Sequence, residues 1–158
     1  MLHVALWEPE IPPNTGNIAR LCAASGATLH LIGRLGFRLD ERSLRRAGLD
    51  YWPEVALCRH ACLADFDAAL AGGACGAFSG QGYCFSAHDG RPYTDVHYTA
   101  GDYLLFGGES HGLPDDVRRR HGARALTIPI PAGKVRSLNL ATAVGIVLYE
   151  ALRQLRVW

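Results

Sequence analysis

Short apolar runs alternate with amphipathic segments along most of the chain. The runs are typical of buried strands, whereas the amphipathic segments repeat apolar residues at helical spacing. The pattern predicts strands at Leu2–Trp7, Thr28–Ile32, near Val55–Cys58, near Ala74–Ser79, at Tyr103–Phe106 and at Ala125–Ile128. It predicts helices at Thr15–Ser25, around Glu41–Ala47, near Leu63–Leu70, at Asp115–His121 and at Leu140–Leu155.

Strands that alternate with helices indicate an α/β fold with a mostly parallel sheet and helices on both faces. A chain of 158 residues fits one domain, so we expect residues 1–158 to fold as a single unit. Ligands of such sheets bind beyond the carboxyl ends of the strands. We therefore expect the chemistry to lie in the loops that follow strands.

Composition narrows the function classes only a little. The formal charge of +1 gives no electrostatic argument for a nucleic-acid partner, so any such argument has to be local. The odd number of cysteines and the absence of a leader pattern predict a reduced, cytoplasmic protein, and no apolar run is long enough to span a membrane. Cys58 and Cys62 lack a second ligand pair, so we expect no metal.

The loop after the first strand, Glu8 to Arg20, is rich in proline and turns into a helix near Asn14. Asn14 is a good N-cap residue, which by itself accounts for its presence. Asn17 and Arg20 share one face of that helix, and an amide beside a guanidinium suits an anion or a ribose phosphate. Spacing alone leaves Arg20 equally consistent with a solvated surface.

The loop from Phe106 to Pro114 contains Gly108-x-Ser110-x-Gly112, the spacing of a hydrolase nucleophile elbow. A serine hydrolase also needs a later acid and histidine, and the only later histidine is His121, which follows closely in what reads as the next helix. This spacing leaves little room for a triad. The glycines are otherwise explained by tight-turn geometry or by close approach of a ligand to the backbone.

The loop from Ile128 to Leu140 has Gly133 and Lys134 but lacks the other residues of a phosphate-binding P-loop. It offers Ser137 and Asn139 just before the last helix, where one of them would be the N-cap. The last helix has an apolar face wider than one core needs, which favours a subunit interface over a deeply buried core helix.

These three loops, in this order, resemble motifs of the SPOUT methyltransferases, and most closely the TrmL branch, which methylates the ribose 2′-hydroxyl of the tRNA wobble nucleotide. The similar segments run from Trp7 to Arg20, from Leu44 to Tyr51, from Gly101 to Gly107, from Arg136 to Leu140 and from Tyr149 to Leu155. The resemblance covers nearly the whole chain. It implies a C-terminal trefoil knot, S-adenosylmethionine as the cofactor, and a homodimer formed through the last helix.

The resemblance also implies the site residues. The cofactor-binding positions would be Phe78, Gly107, Gly108, Ile128, Ser137 and Leu138, and the catalytic pocket would contain Arg20, Asn14, Glu109 and Asn139. Arg20 would orient the 2′-hydroxyl and stabilise the developing alkoxide, with a substrate phosphate as the base. Contacts with a tRNA anticodon stem-loop would come from His111 and Arg136 and from a local basic stretch that includes Arg42, Arg45 and Arg46, although that stretch is equally consistent with a solvated helix.

The second loop departs from the pattern of that branch. Gly108 stands where a proline is common, and His111 stands where an arginine is common. The implied activity is methylation of cytidine or uridine 34 of tRNA. The alternatives are a serine hydrolase that uses Ser110 and a non-catalytic RNA-binding protein.

Overall fold

The computed structural model of the chain describes residues 1–37, 52–72 and 78–156. Seven strands lie in these residues: β1 His3–Trp7, β2 Thr28–Ile32, β3 Leu57–His60, β4 Gly82–Phe85, β5 Arg91–Pro92, β6 Tyr103–Gly107 and β7 Ala125–Thr127. The α-helices are α1 Pro12–Ser25, α2 Leu63–Gly72, α3 Asp115–His121 and α4 Leu140–Leu155, and short 3-10 helices lie at Trp52–Glu54 and Gly122–Arg124.

The strands form one sheet in the order β3-β2-β1-β6-β4-β7-β5, and every pairing is parallel. One face packs against α1 and α4 through a core that includes Val4, Leu104 and Val144. The other face packs against α2 and α3 through Phe66 and Val117. This confirms the expected α/β class with helices on both faces.

The helix boundaries show which local signals were reliable. The predicted bounds of Leu140–Leu155 are confirmed, and Asn139 caps that helix by accepting hydrogen bonds from the backbone N–H groups of Ala141 and Thr142. The predicted start of α1 is wrong, because the helix begins at Pro12, with Ile11 as N-cap. Proline suits a first helical turn, since its missing N–H is not needed there. Asn14 is therefore inside the helix and is not its cap.

The strand predicted near Ala74–Ser79 is contradicted at Phe78 and Ser79, its only described residues. Residues 73–77 lie outside the described residues, as does the helix predicted at Glu41–Ala47, but Phe78 and Ser79 are irregular and the strand is Gly82–Phe85. A side chain at Gly82 would overlap the ring of Tyr103 on the neighbouring strand, so this strand has to begin with glycine. Glycine is by itself a turn signal, so a strand that begins with glycine is difficult to predict from the sequence.

A row of three buried histidines crosses the sheet from β1 to β3. His3 Nδ1 lies 2.9 Å from His30 Nε2, and His30 Nδ1 lies 2.9 Å from His60 Nε2. Their exposed fractions are 2%, 0% and 8%, and the ring of Phe66 packs edge-on against His30 and His60. Burial lowers the pKa of His30 to about 3 and also lowers the pKa of His60. His30 is therefore held as a neutral imidazole, with a hydrogen-bonded histidine ring on each side.

The structure bears on two expectations, the absence of a membrane span and the reduced state of the cysteines. No helix in the described ranges is long and apolar enough to cross a membrane. Cys22, Cys62 and Cys84 are free thiols, whereas Cys58 is disulfide-bonded, so the expectation of a fully reduced chain is wrong at Cys58.

Candidate active site

A cleft of about 500 Å³ opens at the carboxyl ends of β1, β6, β4 and β7. The register explains why the loops meet there, since Trp7 pairs with Gly107 and Phe85 pairs with Phe106. The loops that leave these strands therefore start side by side. Their walls combine apolar side chains with backbone and a few polar groups, as is usual for small-molecule sites.

Glu109 and two asparagines connect the three loops that the sequence singled out. The Glu109 carboxylate accepts hydrogen bonds from the backbone N–H of Glu10 at 2.8 Å, from the N–H of Ile11 at 3.2 Å and from Asn14 Nδ2 at 2.8 Å. Asn14 Oδ1 in turn accepts from Asn139 Nδ2 at 2.9 Å. Since Asn139 also caps α4, one polar chain runs from the second loop through α1 to the last helix.

A second glutamate holds the first two loops together in the opposite direction. Glu10 accepts from the backbone N–H of Ser110 at 2.9 Å and from its hydroxyl at 2.7 Å. These two hydrogen bonds hold the pKa of the Glu10 carboxyl below its usual value, so it is ionised at neutral pH. Each loop thus contributes a carboxylate that binds the backbone of the other.

The same contacts contradict the serine-hydrolase interpretation. The Ser110 hydroxyl is bonded to a carboxylate, whereas His121 Nε2 lies 3.0 Å from the hydroxyl oxygen of Tyr103, and His121 Nδ1 lies 2.8 Å from the carbonyl oxygen of Val117. His121 therefore has both ring nitrogens engaged elsewhere. The pairing of serine with histidine that such a hydrolase requires is not formed in the described residues.

The turn after β6 depends on glycine. The backbone N–H of Gly112 donates to the carbonyl of Gly108 at 2.9 Å, and these two residues form an isolated bridge. A Cβ at Gly107 would overlap the backbone of Gly112, and a Cβ at Gly108 would lie 2.5 Å from the carbonyl oxygen of Glu8. The absence of side chains at these glycines lets the backbone segments pack directly against one another. The turn itself lines the cleft.

The structure brings most of the predicted site residues to this cleft. It is lined by Asn14, Gly107, Gly108, Glu109, His111, Ile128, Arg136, Ser137, Leu138 and Asn139. Phe78 does not line it, because its ring packs against His3 and Tyr103 at the amino ends of β1 and β6. Arg20 is exposed on α1 and does not line the cleft of its own chain. Arg42, Arg45 and Arg46 lie outside the described residues.

Sequence reasoning missed one wall of the cleft. Phe85, Ser86, Ala87 and His88 line it because they end β4 and begin the loop after it. The signal was a short apolar run, Gly82 to Phe85, that ends in a polar stretch. These residues take the place that was expected for Phe78.

The donor set of the cleft suits a neutral, flat heterocycle with a polar tail. Ile128 and Leu138 are half-buried, and the rings of Phe85 and Phe106 stack with centroids 4.6 Å apart. Ser137 and the turn at Gly107 supply polar and backbone groups close to these apolar walls. No group of three metal-ligating side chains occurs within the described ranges. The residues therefore fit an adenosyl cofactor.

A parallel α/β sheet with a glycine-built cleft at its carboxyl ends defines the class as a nucleotide- or cofactor-binding α/β protein. Residues 1–149 match the model of the SpoU rRNA Methylase family, and the chain belongs to that family. The family uses S-adenosylmethionine as its methyl donor.

Individual relatives agree with this assignment. The tRNA (cytidine(34)-2'-O)-methyltransferase of Escherichia coli is 45% identical over 157 residues, which are 98% of this chain and 94% of that protein. A solved structure that concerns the 2-OH methylation of C/U34 on tRNA is 50% identical, with a TM-score of 0.86, and covers 99% of this chain and 91% of its own. The methyltransferase AviRb of Streptomyces viridochromogenes, crystallised with the cofactor AdoMet, is 25% identical with a TM-score of 0.82, covering 100% of this chain and 62% of that one.

Proposed function

We propose that this protein transfers a methyl group from S-adenosylmethionine to the ribose 2′-hydroxyl of nucleotide 34 in tRNA. The observation that carries the proposal is the cleft itself, in which the glycine turn after β6 and the Asn14–Glu109–Asn139 chain meet at the carboxyl ends of the strands. The relatives named for this reaction match the chain over almost its full length.

The chemistry divides between the cofactor and the chain. S-adenosylmethionine supplies a methyl group on a positively charged sulfur. Gly107, Ile128 and Ser137 would hold the cofactor in the cleft, so that the 2′-oxygen could take the methyl group, the neutral thioether would be left, and the hydroxyl proton would pass to a phosphate of the substrate. Arg20 orients the hydroxyl and stabilises the charge that develops on its oxygen, which is an electrostatic role suited to a guanidinium.

Glu109, Asn14 and Asn139 act by position in this proposal. The Glu109 carboxylate binds the backbone at the start of α1, and the two amides bind each other. Their hydrogen bonds fix the three loops relative to one another. A methyl transfer that depends on alignment of donor and acceptor gains most from such rigidity.

Arg20 reaches the reaction centre in our proposal from the second subunit of a homodimer. On α4, Ala141, Gly145 and Tyr149 share one stripe, and the exposed fraction of Tyr149 is 43%. Gly145 faces Leu21 of α1, because a Cβ built there would lie 3.5 Å from that side chain. The stripe therefore borders the helix that carries Arg20. Small residues permit a second helix to pack closely, which would place Arg20 of one subunit beside the cleft of the other.

The proposal also assigns the residues that would contact the tRNA. His111 and Arg136 are exposed at the cleft, where each can contact a phosphate of the anticodon stem-loop. Arg42, Arg45 and Arg46 are the further candidates from the sequence.

The family resemblance supports a trefoil knot in the C-terminal part. We place the protein in the cytoplasm, where tRNA is modified.

The experiment is methyl transfer by the purified protein from labelled S-adenosylmethionine to tRNA that lacks the 2′-O-methyl group at position 34. Mass spectrometry maps the product, and the same tRNA with 2′-deoxyribose at position 34 is the substrate control. We expect Arg20→Ala to remove nearly all incorporation, while Arg119→Ala, an exposed arginine on α3, retains it. Lack of incorporation by the wild-type protein would refute the activity, and full activity of Arg20→Ala would refute the role of Arg20.

Mixed dimers test whether Arg20 acts across the interface. Arg20→Ala and Asn139→Ala subunits are unfolded together and refolded as a mixture, at a cofactor concentration at which neither variant alone is active. If Arg20 serves the partner's cleft, each mixed dimer has one intact site, and random pairing restores about one quarter of wild-type activity. If Arg20 serves its own cleft, the mixture stays inactive.

A further inference from the structure

A charged cluster outside the three loops stands along one side of the cleft. Arg118 of α3 forms an ion pair with Asp89, in the loop after β4, at 2.7 Å, and a second with Asp115 in the first turn of α3. The loop is also bonded internally, since the Ser86 hydroxyl donates to Asp89 at 3.1 Å and accepts from the backbone N–H of His88 at 3.2 Å. One guanidinium thus joins this loop to the neighbouring helix.

The joined loop is a wall of the cleft. Ser86, Ala87 and His88 line the cleft together with Asp115 and Arg118. On the other side of the ion pairs lies a separate groove of about 630 Å³ that contains Asp89, Asp115 and Arg118. The ion pairs therefore form the partition between the groove and the cleft. Asp89 lines the groove but not the cleft, so its substitution breaks an ion pair without changing a residue of the cleft.

The loop needs such a restraint for a physical reason. Residues 87–90 are exposed and irregular, and holding such a segment in one conformation costs conformational entropy. The planar guanidinium of Arg118 can hold two carboxylates in a fixed geometry, which a lysine cannot do. A wall that is ordered before ligand binds lowers the entropic cost of binding.

We propose that Arg118 is a positioning residue for S-adenosylmethionine binding, which orders the wall from Ser86 to His88 through its ion pairs with Asp89 and Asp115. This inference rests on the proposed placement of the cofactor in the cleft. Arg118 sets the affinity for the cofactor, and it takes no part in the transfer step.

The test is calorimetric titration of S-adenosylmethionine into the wild-type protein and its variants, with kcat and KM for the cofactor measured on tRNA. We expect Arg118→Ala to raise the Kd and the KM about fivefold, which corresponds to ~1 kcal/mol, and to change kcat at saturating cofactor less than twofold. Arg119→Ala, which removes the same charge from the next position of the helix, should leave the Kd unchanged. A loss confined to kcat, or equal effects of the two variants, would overturn the proposal.

The coupling to Asp89 provides an independent check. Asp89→Ala should weaken binding to a similar extent, and adding it to Arg118→Ala should weaken binding no further, because both variants break the same ion pair. Additive losses would show that the two residues act separately and would refute the partition. Should Arg118→Ala fail to fold, Arg118→Gln keeps hydrogen-bonding capacity without the charge and gives the same comparison. If the wild-type protein does not bind the cofactor, the proposed function fails instead.

Discussion

The row of His3, His30 and His60 should make the fold sensitive to mild acid. His30 is completely buried, and its pKa falls from an ordinary 6.5 to about 3 because a charged imidazole there would lose its hydration and face two other imidazoles. An unfolded chain binds a proton at His30 below pH 6.5, whereas the folded chain does not. The free energy of unfolding contributed by His30 is therefore fully present above pH 6.5 and declines as the pH falls toward 3.

The expected size follows from the linkage relation. Each pH unit below 6.5 costs about 1.4 kcal/mol, so moving to pH 5.0 costs about 2 kcal/mol from His30 alone. His60 and His121 also have lowered pKa values and act in the same direction. The carboxyl groups with lowered pKa values, Glu10, Asp115 and Glu150, lose their contribution only below about pH 4.5.

Urea unfolding at pH 7.5, 6.5, 5.8 and 5.0 measures this loss directly. His97→Gln, at an exposed position, serves as the control and should follow the wild-type curve. His30→Gln should be less stable at pH 7.5 but should show a shallower decline with acid. A wild-type free energy that changes by less than about 0.5 kcal/mol between pH 7.5 and 5.0 would refute the reasoning.

Three further substitutions probe the site and the core. Asn139→Ala removes the cap of α4 and the bond to Asn14, and should lower the free energy of unfolding by about 1–2 kcal/mol and weaken cofactor binding, as urea unfolding and calorimetry would measure. Gly107→Ala forces a Cβ into the backbone of Gly112 and should destabilise by about 1–3 kcal/mol in thermal unfolding, whereas Gly72→Ala, with open space around it, should be neutral. Leu148→Ala, completely buried on α4, should cost about 2–5 kcal/mol in urea unfolding.

The sequence predicted the sheet and helices well where periodicity was strong. The bounds of Thr28–Ile32 and of the last helix are confirmed. The first is a continuous apolar run and the second has an apolar face at helical spacing, and both have clear boundary residues. The strand at Gly82–Phe85 was missed, since glycine is by itself a turn signal and only the neighbouring ring of Tyr103 explains why Gly82 begins a strand. Such a contact joins residues far apart in the chain, so no local pattern contains it.

The candidate site, too, was only partly predictable from the sequence. Motif resemblance brought Glu109, Asn14 and Asn139 together, and the structure shows them in one hydrogen-bonded chain. Their individual bonds were not predictable, because they depend on the register that sets Trp7 beside Gly107. Phe78 was misplaced for the reason that hid β4, since a strand predicted too early shifts the loop that follows it.

The two glutamates of the cleft are consistent with the polyanionic substrate that we propose for this nearly neutral chain. Glu109 binds the backbone at Glu10 and Ile11, and Glu10 binds the backbone and hydroxyl of Ser110. Both carboxylates accept hydrogen bonds from N–H and O–H groups of the protein, and these bonds hold the first and second loops together. Neither loop can move away without breaking hydrogen bonds in the other. Net charge is therefore a poor guide to the proposed substrate, because these two carboxylates are bound to the protein itself and our proposal assigns phosphate to the exposed residues His111 and Arg136.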